Sequence, residues 1–270
     1  MNPIIRWAGS KRKLLSRLKA YWSGVTTRYI EPFCGSACLF FDLEPDCAVL
    51  GDLNSELITT YGTLRTNPED VCAYLQNLPD TEQAYYHIRD LEPDDLNETE
   101  KAARFLYLNR YCFNGIYRTN QAGKFNVPRG RRTNDADIDY ELIGQAANLL
   151  TRVELINADF AVTLSQCKAG DFIYLDPPYA VSDRKIFAEY HQNTFSTKDL
   201  ERLSDSLVEL DRKCAHFVIS YADSREARGL LAPWNPTRVR TRRHIAGFVG
   251  SRRHAYEIIA TNLEDFSYAG

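Results

Sequence analysis

Short apolar runs recur along the chain, and each ends at a polar or turn-forming residue. Such runs predict buried strands, because strands covered on both faces have nearly continuous apolar sequences. Segments with helical spacing separate most of them. Strands that alternate with helices predict an α/β fold with a mostly parallel sheet. The predicted strands of this kind lie at residues 28–31, 47–50, 153–159, 171–176 and 216–223.

Two further strand-like runs, residues 238–243 and 256–262, predict a hairpin near the end of the chain. The middle of the chain breaks the alternation, because residues 61–144 have helical spacing followed by the turn signals NG, AGK and PRGRR. We interpret this segment as a helical insertion that ends in a basic β-hairpin. It would leave residues 1–60 and 145–270 as the core domain.

Acidic residues end four of the predicted strands. Ligands bind at the carboxyl ends of strands in open α/β sheets, so these acids are expected to share one site. Each acid taken alone is also a common helix cap. Four acids at equivalent strand ends favour the shared site, and they are Glu31, Asp52, Asp159 and Asp176.

The composition is that of a globular protein, with 270 residues, 44% of them hydrophobic and 26% charged. No apolar run is long enough to span a membrane, and the first residues show no secretion signal. The seven cysteines form no CxxC pair and indicate free thiols in a reducing compartment, so we expect a cytoplasmic protein. Cys34 and Cys38 have no companion ligands nearby, and no metal site is expected.

The net charge is −3, yet basic residues gather in three stretches that contain no acid. These stretches are residues 6–13, 115–134 and 237–256. One basic run is usually a solvated face. Three of them in an acidic protein predict a surface that binds a polyanion.

The segment EPFCGSACLF, residues 31–40, combines a strand end, one glycine and an apolar helix. Gly35 allows a ligand to approach the backbone closely, and Asp52 can accept hydrogen bonds from both hydroxyls of a ribose. Asp159 can accept a hydrogen bond from an adenine amino group, and Phe160 can stack on its ring. Because the segment has a single glycine, an ordinary strand–turn–helix fits it equally well.

The segment DPPY, residues 176–179, ends a strand with two prolines, neither of which can donate a ladder hydrogen bond. An exocyclic amine of a base is a poor nucleophile, because its lone pair is delocalised into the ring. The Asp176 carboxylate and the Pro177 carbonyl can accept its two hydrogens and leave the lone pair aimed at an electrophilic methyl group. Tyr179 offers a flat face for the base. The segment therefore predicts methyl transfer, with a simple turn as the alternative.

These segments resemble those of the DNA adenine-N6 methyltransferases, most closely the Dam group of the alpha class (the D12 family). The order of the segments is also similar, with a target-recognition segment between the cofactor and catalytic motifs. The resemblance extends from Arg6 to about Asn262, nearly the whole chain. The matching segments are RWAGSK, EPFCGSACLF, GDLNSELITTY, FLYLNRYCFNGIYRTNQAGKFNVP, DPPY and EYHQNTF.

The resemblance implies a Rossmann-like core that binds S-adenosyl-L-methionine and an inserted domain that binds double-stranded DNA. Asp176, Pro177 and Tyr179 would act on an adenine turned out of the duplex, because its amino nitrogen is otherwise paired and stacked. It further implies a cytoplasmic, nucleoid-associated monomer. The implied cofactor-binding residues are Trp7, Lys11, Phe33, Gly35, Asp52, Asp159, Phe160 and Asp176.

The resemblance also places DNA contacts in the first basic stretch and in the predicted hairpin. Arg118 would contact a guanine through its two major-groove acceptors. Phe113 and Asn114 would fill the gap left by the extruded base, although a buried hairpin aromatic is the other interpretation of Phe113. The implied DNA-binding residues are Arg6, Phe113, Asn114, Ile116, Arg118, Asn120, Asn126, Pro128 and Arg132.

Two positions depart from the family pattern. Ala37 stands where the donor loop usually has a second glycine, so we expect a tighter loop there. Arg132 stands where the enteric enzymes have a tyrosine that helps to recognise the outer base. The target implied by the resemblance is GATC, and Arg132 bears on its last position.

Two other functions remain compatible with these residues. One is an RNA adenine methyltransferase with the same catalytic motif, and the other is a DNA-binding relative that has lost catalysis. The basic hairpin with its Phe-Asn pair favours duplex DNA, and the intact Asp176 favours an active enzyme. A protein-glutamine methyltransferase would more usually have Asn before the two prolines.

Overall fold

The computed structural model describes residues 1–22, 28–120, 122–131, 137–179, 195–242 and 254–263, with the backbone alone at 241–242 and 254–255. Seven strands form one sheet within these residues. They are β1 (Tyr29–Glu31), β2 (Ala48–Asp52), β3 (Val153–Asn157), β4 (Phe172–Leu175), β5 (His216–Ala222), β6 (Thr237–Arg242) and β7 (His254–Thr261).

The sheet has the order β3-β2-β1-β4-β5-β7-β6. Strands β1 to β5 run parallel, and β7 lies antiparallel to both β5 and β6. The prediction of an α/β fold with a mostly parallel, Rossmann-like sheet is therefore confirmed. The predicted hairpin is β6–β7.

Side chains of the central strands are buried on both faces of the sheet. Tyr29 and Phe172 point into one core, whereas Ile30 and Ile173 point into the other. Successive strand residues face opposite sides, so a strand covered on both sides must be apolar at every position. This burial explains the continuous apolar runs that predicted the strands.

Helices cover both faces of the sheet. The longest, α9, is amphipathic and buries Leu200, Leu203, Leu207 and Leu210 against it. The helices of the described ranges are α1 (Leu15–Lys19), α2 (Cys38–Leu43), α3 (Ser55–Thr66), α4 (Pro68–Gln76), α5 (Glu82–Asp90), α6 (Glu98–Tyr111), α7 (Tyr140–Leu150), α8 (Phe160–Ser165), α9 (Thr197–Arg212) and α10 (Arg225–Leu231).

The chain reverses its direction of travel across the sheet between β1 and β4. From β1 it proceeds through β2 to β3 on one side, and it then returns to β4 and β5 on the other. A crevice forms at such a reversal, outside the carboxyl ends of the strands. Glu31 ends β1 and Asp176 follows β4, so the topology brings these two acids to the crevice.

The helical middle of the chain shares its core with the sheet. Tyr61, Tyr85 and Phe105 belong to the same apolar cluster as Tyr29 and Phe172. The boundaries predicted at residues 60/61 and 144/145 both fall inside helices, α3 and α7. The division into a core and an inserted domain therefore stays a proposal.

The third strand is shorter than the apolar pattern predicted. It ends at Asn157, and Asp159 is instead the N-cap of α8, where its carboxylate accepts a hydrogen bond from the Ala161 N–H at 3.0 Å. A helix needs acceptors for its first N–H groups, and an aspartate satisfies that need well.

Candidate active site

A cleft of about 1010 Å³ opens at the carboxyl edge of the sheet. Its wall is formed by the N-terminal segment, the loops after β1, β2, β3 and β4, and part of the segment after α6. Segments distant in sequence meet there. The predicted site residues that line it are Trp7, Lys11, Phe33, Gly35, Asp52, Asn120, Asp159, Phe160, Asp176, Pro177 and Tyr179.

Lys11 and Asp176 form the centre of the cleft. The Lys11 ammonium donates a hydrogen bond to Asp176 Oδ1 at 2.6 Å and another to the Tyr179 hydroxyl at 3.3 Å. Burial alone would lower the pKa of Lys11, but the charges of Asp176 and the Tyr179 oxygen raise it above its ordinary value. Lys11 is therefore a cation, although only 4% of its side chain is exposed.

Tyr179 is held from behind by a second tyrosine. The Tyr221 ring, at the end of β5, lies edge-on to Tyr179 with centroids 5.4 Å apart and planes at 90°. The Tyr221 hydroxyl donates a hydrogen bond to the Pro178 carbonyl at 3.4 Å. These contacts fix the turn after β4, because the ring and the backbone of DPPY are both in contact with the sheet.

The loop between β1 and α2 approaches its neighbours very closely at Gly35. The Gly35 N–H donates to Asp52 Oδ2 at 2.9 Å, and its carbonyl accepts from the Tyr61 hydroxyl at 2.9 Å. Gly35 has φ +45°, and a Cβ there would lie 2.6 Å from Trp7 Cδ1. Only glycine fits this position without strain.

Ala37, the departure from the family pattern, has left-handed backbone angles of φ 47° and ψ 39°. A residue with a Cβ pays about 1–2 kcal/mol for that conformation, which explains why a glycine suits it. Two contacts offset this strain. Ala37 is fully buried, and its carbonyl accepts a hydrogen bond from the Phe41 N–H at 2.9 Å.

Two of the strand-end acids lie in the wall of the cleft, where Glu31 is buried and Asp52 is half-buried. Both oxygens of Asp52 accept backbone N–H groups, from Gly35 and from Asn54, each at 2.9 Å. Glu31 is 2% exposed and accepts a hydrogen bond from the Tyr29 hydroxyl at 2.8 Å. Burial raises the pKa of both carboxyl groups above their ordinary values.

Asp159 has a cationic partner that the sequence did not indicate. Arg202 of α9 donates to Asp159 Oδ1 at 2.6 Å, and its guanidinium lies 4.8 Å from the centroid of the Phe160 ring. Phe160 is 4% exposed and packs on Phe33 with centroids 5.2 Å apart. Phe33 is the more exposed of the two rings and presents the larger apolar surface to the cleft.

The segment after α6 folds back on itself beside the cleft. Isolated antiparallel bridges join Cys112 to Arg129 and Thr119 to Phe125, so the predicted basic hairpin exists without long regular strands. The side chain of Asn120 accepts hydrogen bonds from two backbone N–H groups and holds the tip of the turn.

The residues predicted to contact DNA occupy this hairpin and the segment packed on it. Phe113 is 44% exposed, which excludes the alternative of a buried hairpin aromatic, and Asn114 follows it with φ 56°. Arg118 donates from Nε to the Asn126 side chain at 3.0 Å. Ile116 and Pro128 lie in the same hairpin.

Arg6 belongs to the N-terminal segment rather than to the hairpin. Its backbone is clamped by Asn109 of α6, which accepts from the Arg6 N–H and donates to the Arg6 carbonyl. The Arg6 side chain packs on Gly115, where a Cβ would lie 2.5 Å from that of Arg6. Arg132, the last of these predicted residues, lies outside the described residues.

Tyr117 joins the hairpin to the cleft, and no pattern in the sequence predicted this role. Its ring stacks on Trp7 with centroids 5.6 Å apart, and its hydroxyl donates to Glu56 Oε1 at 3.1 Å. Arg104 donates to the other oxygen of Glu56 at 3.3 Å. The hairpin therefore supplies one wall of the cleft.

Two further residues, Tyr221 and Glu257, were also not predicted, because only the fold brings them close to Tyr179 and Lys11.

In the described ranges, no helix combines the length and apolar character needed to cross a bilayer. Over that same part of the chain, no three His, Cys, Asp or Glu side chains are grouped in a way that could hold a metal ion.

Comparisons with known proteins identify a family and several relatives. Residues 7–245 match the family described as D12 class N6 adenine-specific DNA methyltransferase. The chain is 35% identical over 271 residues to the type II methyltransferase M1.LlaDCHI of Lactococcus lactis subsp. cremoris, covering 97% of this chain and 95% of that protein.

Two relatives from Escherichia coli are also similar. The retron Ec67 DNA adenine methylase is 30% identical, over 97% of this chain and 92% of its own. The DNA adenine methylase of strain K12 is 29% identical, over 95% of this chain and 94% of its own. The chain thus belongs to the D12 class of N6 adenine-specific DNA methyltransferases.

Proposed function

We propose that this protein transfers the methyl group of S-adenosyl-L-methionine to the N6 amino group of adenine in duplex DNA, within the sequence GATC. The observation that carries the proposal is the DPPY turn at the end of β4. It brings Asp176, Pro177 and Tyr179 to the wall of a large cleft, beside the hairpin after α6.

The cleft fits the methyl donor in size and in chemistry. S-adenosyl-L-methionine combines a sulfonium cation, a ribose diol and an adenine ring. The cleft offers acids for the cation and the diol, and Trp7 and Phe33 offer flat apolar surfaces for the ring. Asp52, held by two backbone N–H groups, is rigidly placed to accept from the diol. When bound, the donor supplies an electrophilic methyl group.

Residues of the chain would orient the amino group for methyl transfer. The Asp176 carboxylate and the Pro177 carbonyl accept its two hydrogens, so that its lone pair points at the methyl carbon. The bound donor would supply the methyl group and its sulfur would keep the electron pair of the bond it loses, so the chain's residues have only to orient the amine. The nitrogen then releases one proton, and Asp176 is the carboxylate placed to take it.

Tyr179 would stack on the adenine after it leaves the duplex. The amino nitrogen inside a duplex is paired, so the base must turn out before the cleft can reach it. Unstacking costs a few kcal/mol, and stacking on an aromatic ring returns about 1–3 kcal/mol. Phe113, which is exposed, and the adjacent Asn114 would fill the gap that the base leaves.

Sequence choice would come from the hairpin. Arg118 can donate two parallel hydrogen bonds to O6 and N7 of guanine, a contact worth about 1–3 kcal/mol of discrimination. Its Nε is turned towards Asn126, which fixes the direction of the guanidinium. Asn126 would thereby help to recognise the guanine by orienting Arg118.

The test uses the purified protein with labelled S-adenosyl-L-methionine and three unmethylated substrates: a GATC duplex, a scrambled duplex and a structured RNA. Label in the GATC duplex alone supports the proposal. Label only in RNA would identify an RNA adenine methyltransferase. Duplex binding without label in any substrate would identify a relative that has lost catalysis.

A further inference from the structure

A third charged group stands behind Lys11 and Asp176. Glu257 lies in β7, where it is paired with Ala222 of β5 and Val239 of β6. Its Oε2 is 3.6 Å from the Lys11 ammonium, which also lies 2.6 Å from Asp176 Oδ1. One ammonium is therefore shared by two carboxylates.

Stability alone does not account for Glu257. Only 6% of its side chain is exposed, and its neighbour Ile258 is packed in the apolar core. Removing a carboxylate from water costs several kcal/mol, and apolar residues of similar volume often replace buried ion pairs without loss of stability. A charge kept at this depth, beside the reacting groups, points to a role in the site.

The charge of the cluster explains that role. With Lys11 protonated, Lys11 and Asp176 together are neutral, and a neutralised carboxylate is a weaker acceptor. Glu257 contacts the same ammonium, so Lys11 neutralises Asp176 only in part. The net charge of the three groups is −1. Asp176 then keeps more of its own negative charge, which favours the positive charge that develops on the amine during methyl transfer.

We propose that Glu257 is a positioning residue for the methyl transfer, acting through Lys11 to keep Asp176 a strong acceptor. This inference rests on the proposed function. It assigns a role to the last strand of the sheet, which carries none of the segments that resemble the family's motifs.

The experiment compares four variants with the unaltered chain in single-turnover methylation of a GATC duplex. They are Glu257→Gln, Lys11→Met, the double variant, and Asp171→Asn as the matched control. Asp171 is also a buried, ion-paired carboxylate, bonded to Arg28, but it precedes β4 at the opposite edge of the sheet.

We expect Glu257→Gln to lower the rate constant by about ten- to a hundredfold, whereas Asp171→Asn lowers the melting temperature and leaves the rate constant within about twofold. In the Lys11→Met background, Glu257→Gln should lower the rate constant little further, because the effect of Glu257 passes through Lys11. Equal losses in both backgrounds, or an unchanged rate constant in Glu257→Gln, would overturn the inference.

A binding measurement without DNA gives a second result that does not depend on turnover. Glu257→Gln should weaken the binding of S-adenosyl-L-methionine, a sulfonium cation, by about three- to tenfold more than that of uncharged S-adenosylhomocysteine. An equal loss for both ligands would contradict the charge argument. Failure of the unaltered chain to methylate any duplex would instead reject the proposed function.

Discussion

At the scale of single residues, the cleft depends on charges that burial and one close partner hold in place. Asp176 is the clearest case, since a buried lysine cation contacts it at 2.6 Å. We expect Asp176→Ala to reduce methyl transfer by about a thousandfold or more, because the amine loses its charged acceptor. DNA binding should stay within about threefold, as measured by fluorescence anisotropy on a GATC duplex. Loss of both together would show that Asp176 serves folding instead.

Gly35 supports a prediction about backbone geometry. Gly35→Ala should weaken S-adenosyl-L-methionine binding by about tenfold or more, because a Cβ with φ +45° is strained and displaces the Trp7 ring. Calorimetric titration measures the affinity. Gly144→Ala is the matched control, since it lies inside α7 with open space around it and should gain about 0.5–1 kcal/mol of stability. Equal affinity in the two variants would contradict the assignment of Gly35.

Single residues were predictable where their neighbours in sequence carry the chemistry. Gly35, Asp52 and Asp176 follow strands with recognisable patterns, and the structure brings them to one cleft. The partner of Asp159 was not predictable, because Arg202 lies on a helix that the fold brings alongside.

At the scale of elements, the hairpin after α6 is predicted to determine which DNA sequence is methylated. Arg118→Ala should relax discrimination at one guanine of the target by about 1–3 kcal/mol, measured by competition between duplexes with single substitutions. Lys124→Ala is the control, because Lys124 lies at the same tip, is exposed and pairs with Glu92. It should weaken all duplexes alike. A uniform loss in Arg118→Ala would make Arg118 a phosphate contact.

Elements with a local pattern were predicted well, and those set by distant contacts were not. The strands and the β6–β7 hairpin followed from apolar runs, because burial on both faces imposes such runs. The domain boundaries stay a prediction, since α3 and α7 continue through both and share one core with the sheet.

At the scale of the whole molecule, Glu31 links the cleft to stability. Burial raises its pKa well above the ordinary value of about 4.5, so the folded state holds this proton more tightly than the unfolded state. Stability must then fall as the pH rises from about 4.5 through the folded pKa. Glu31→Gln should remove the part of this pH-dependent loss of stability that Glu31 causes. The variant should therefore be more stable than the unaltered chain at neutral pH.

Urea unfolding of both proteins at several pH values between 5 and 8 measures this difference, in which all other titrating groups cancel. A stability difference that does not change with pH would show that Glu31 keeps its ordinary pKa in the folded state.

The whole cleft could not be assembled from sequence alone. Its parts come from the N-terminal segment, four strand ends and the hairpin, with Glu257 of β7 in contact with Lys11, and strand order decides which of them meet. Patterns along the chain identify strands but contain no information on their order. Glu257 and Tyr117 therefore became visible only in the folded chain.

The identity of the methylated base tests the proposed function most directly. A GATC duplex treated with the protein and S-adenosyl-L-methionine would be digested to nucleosides and analysed by mass spectrometry, with the position of the label mapped by sequencing. We predict N6-methyl-2′-deoxyadenosine at the GATC adenine, and none in the Asp176→Ala sample. Methyl groups on cytosine, or on adenines regardless of sequence, would contradict it.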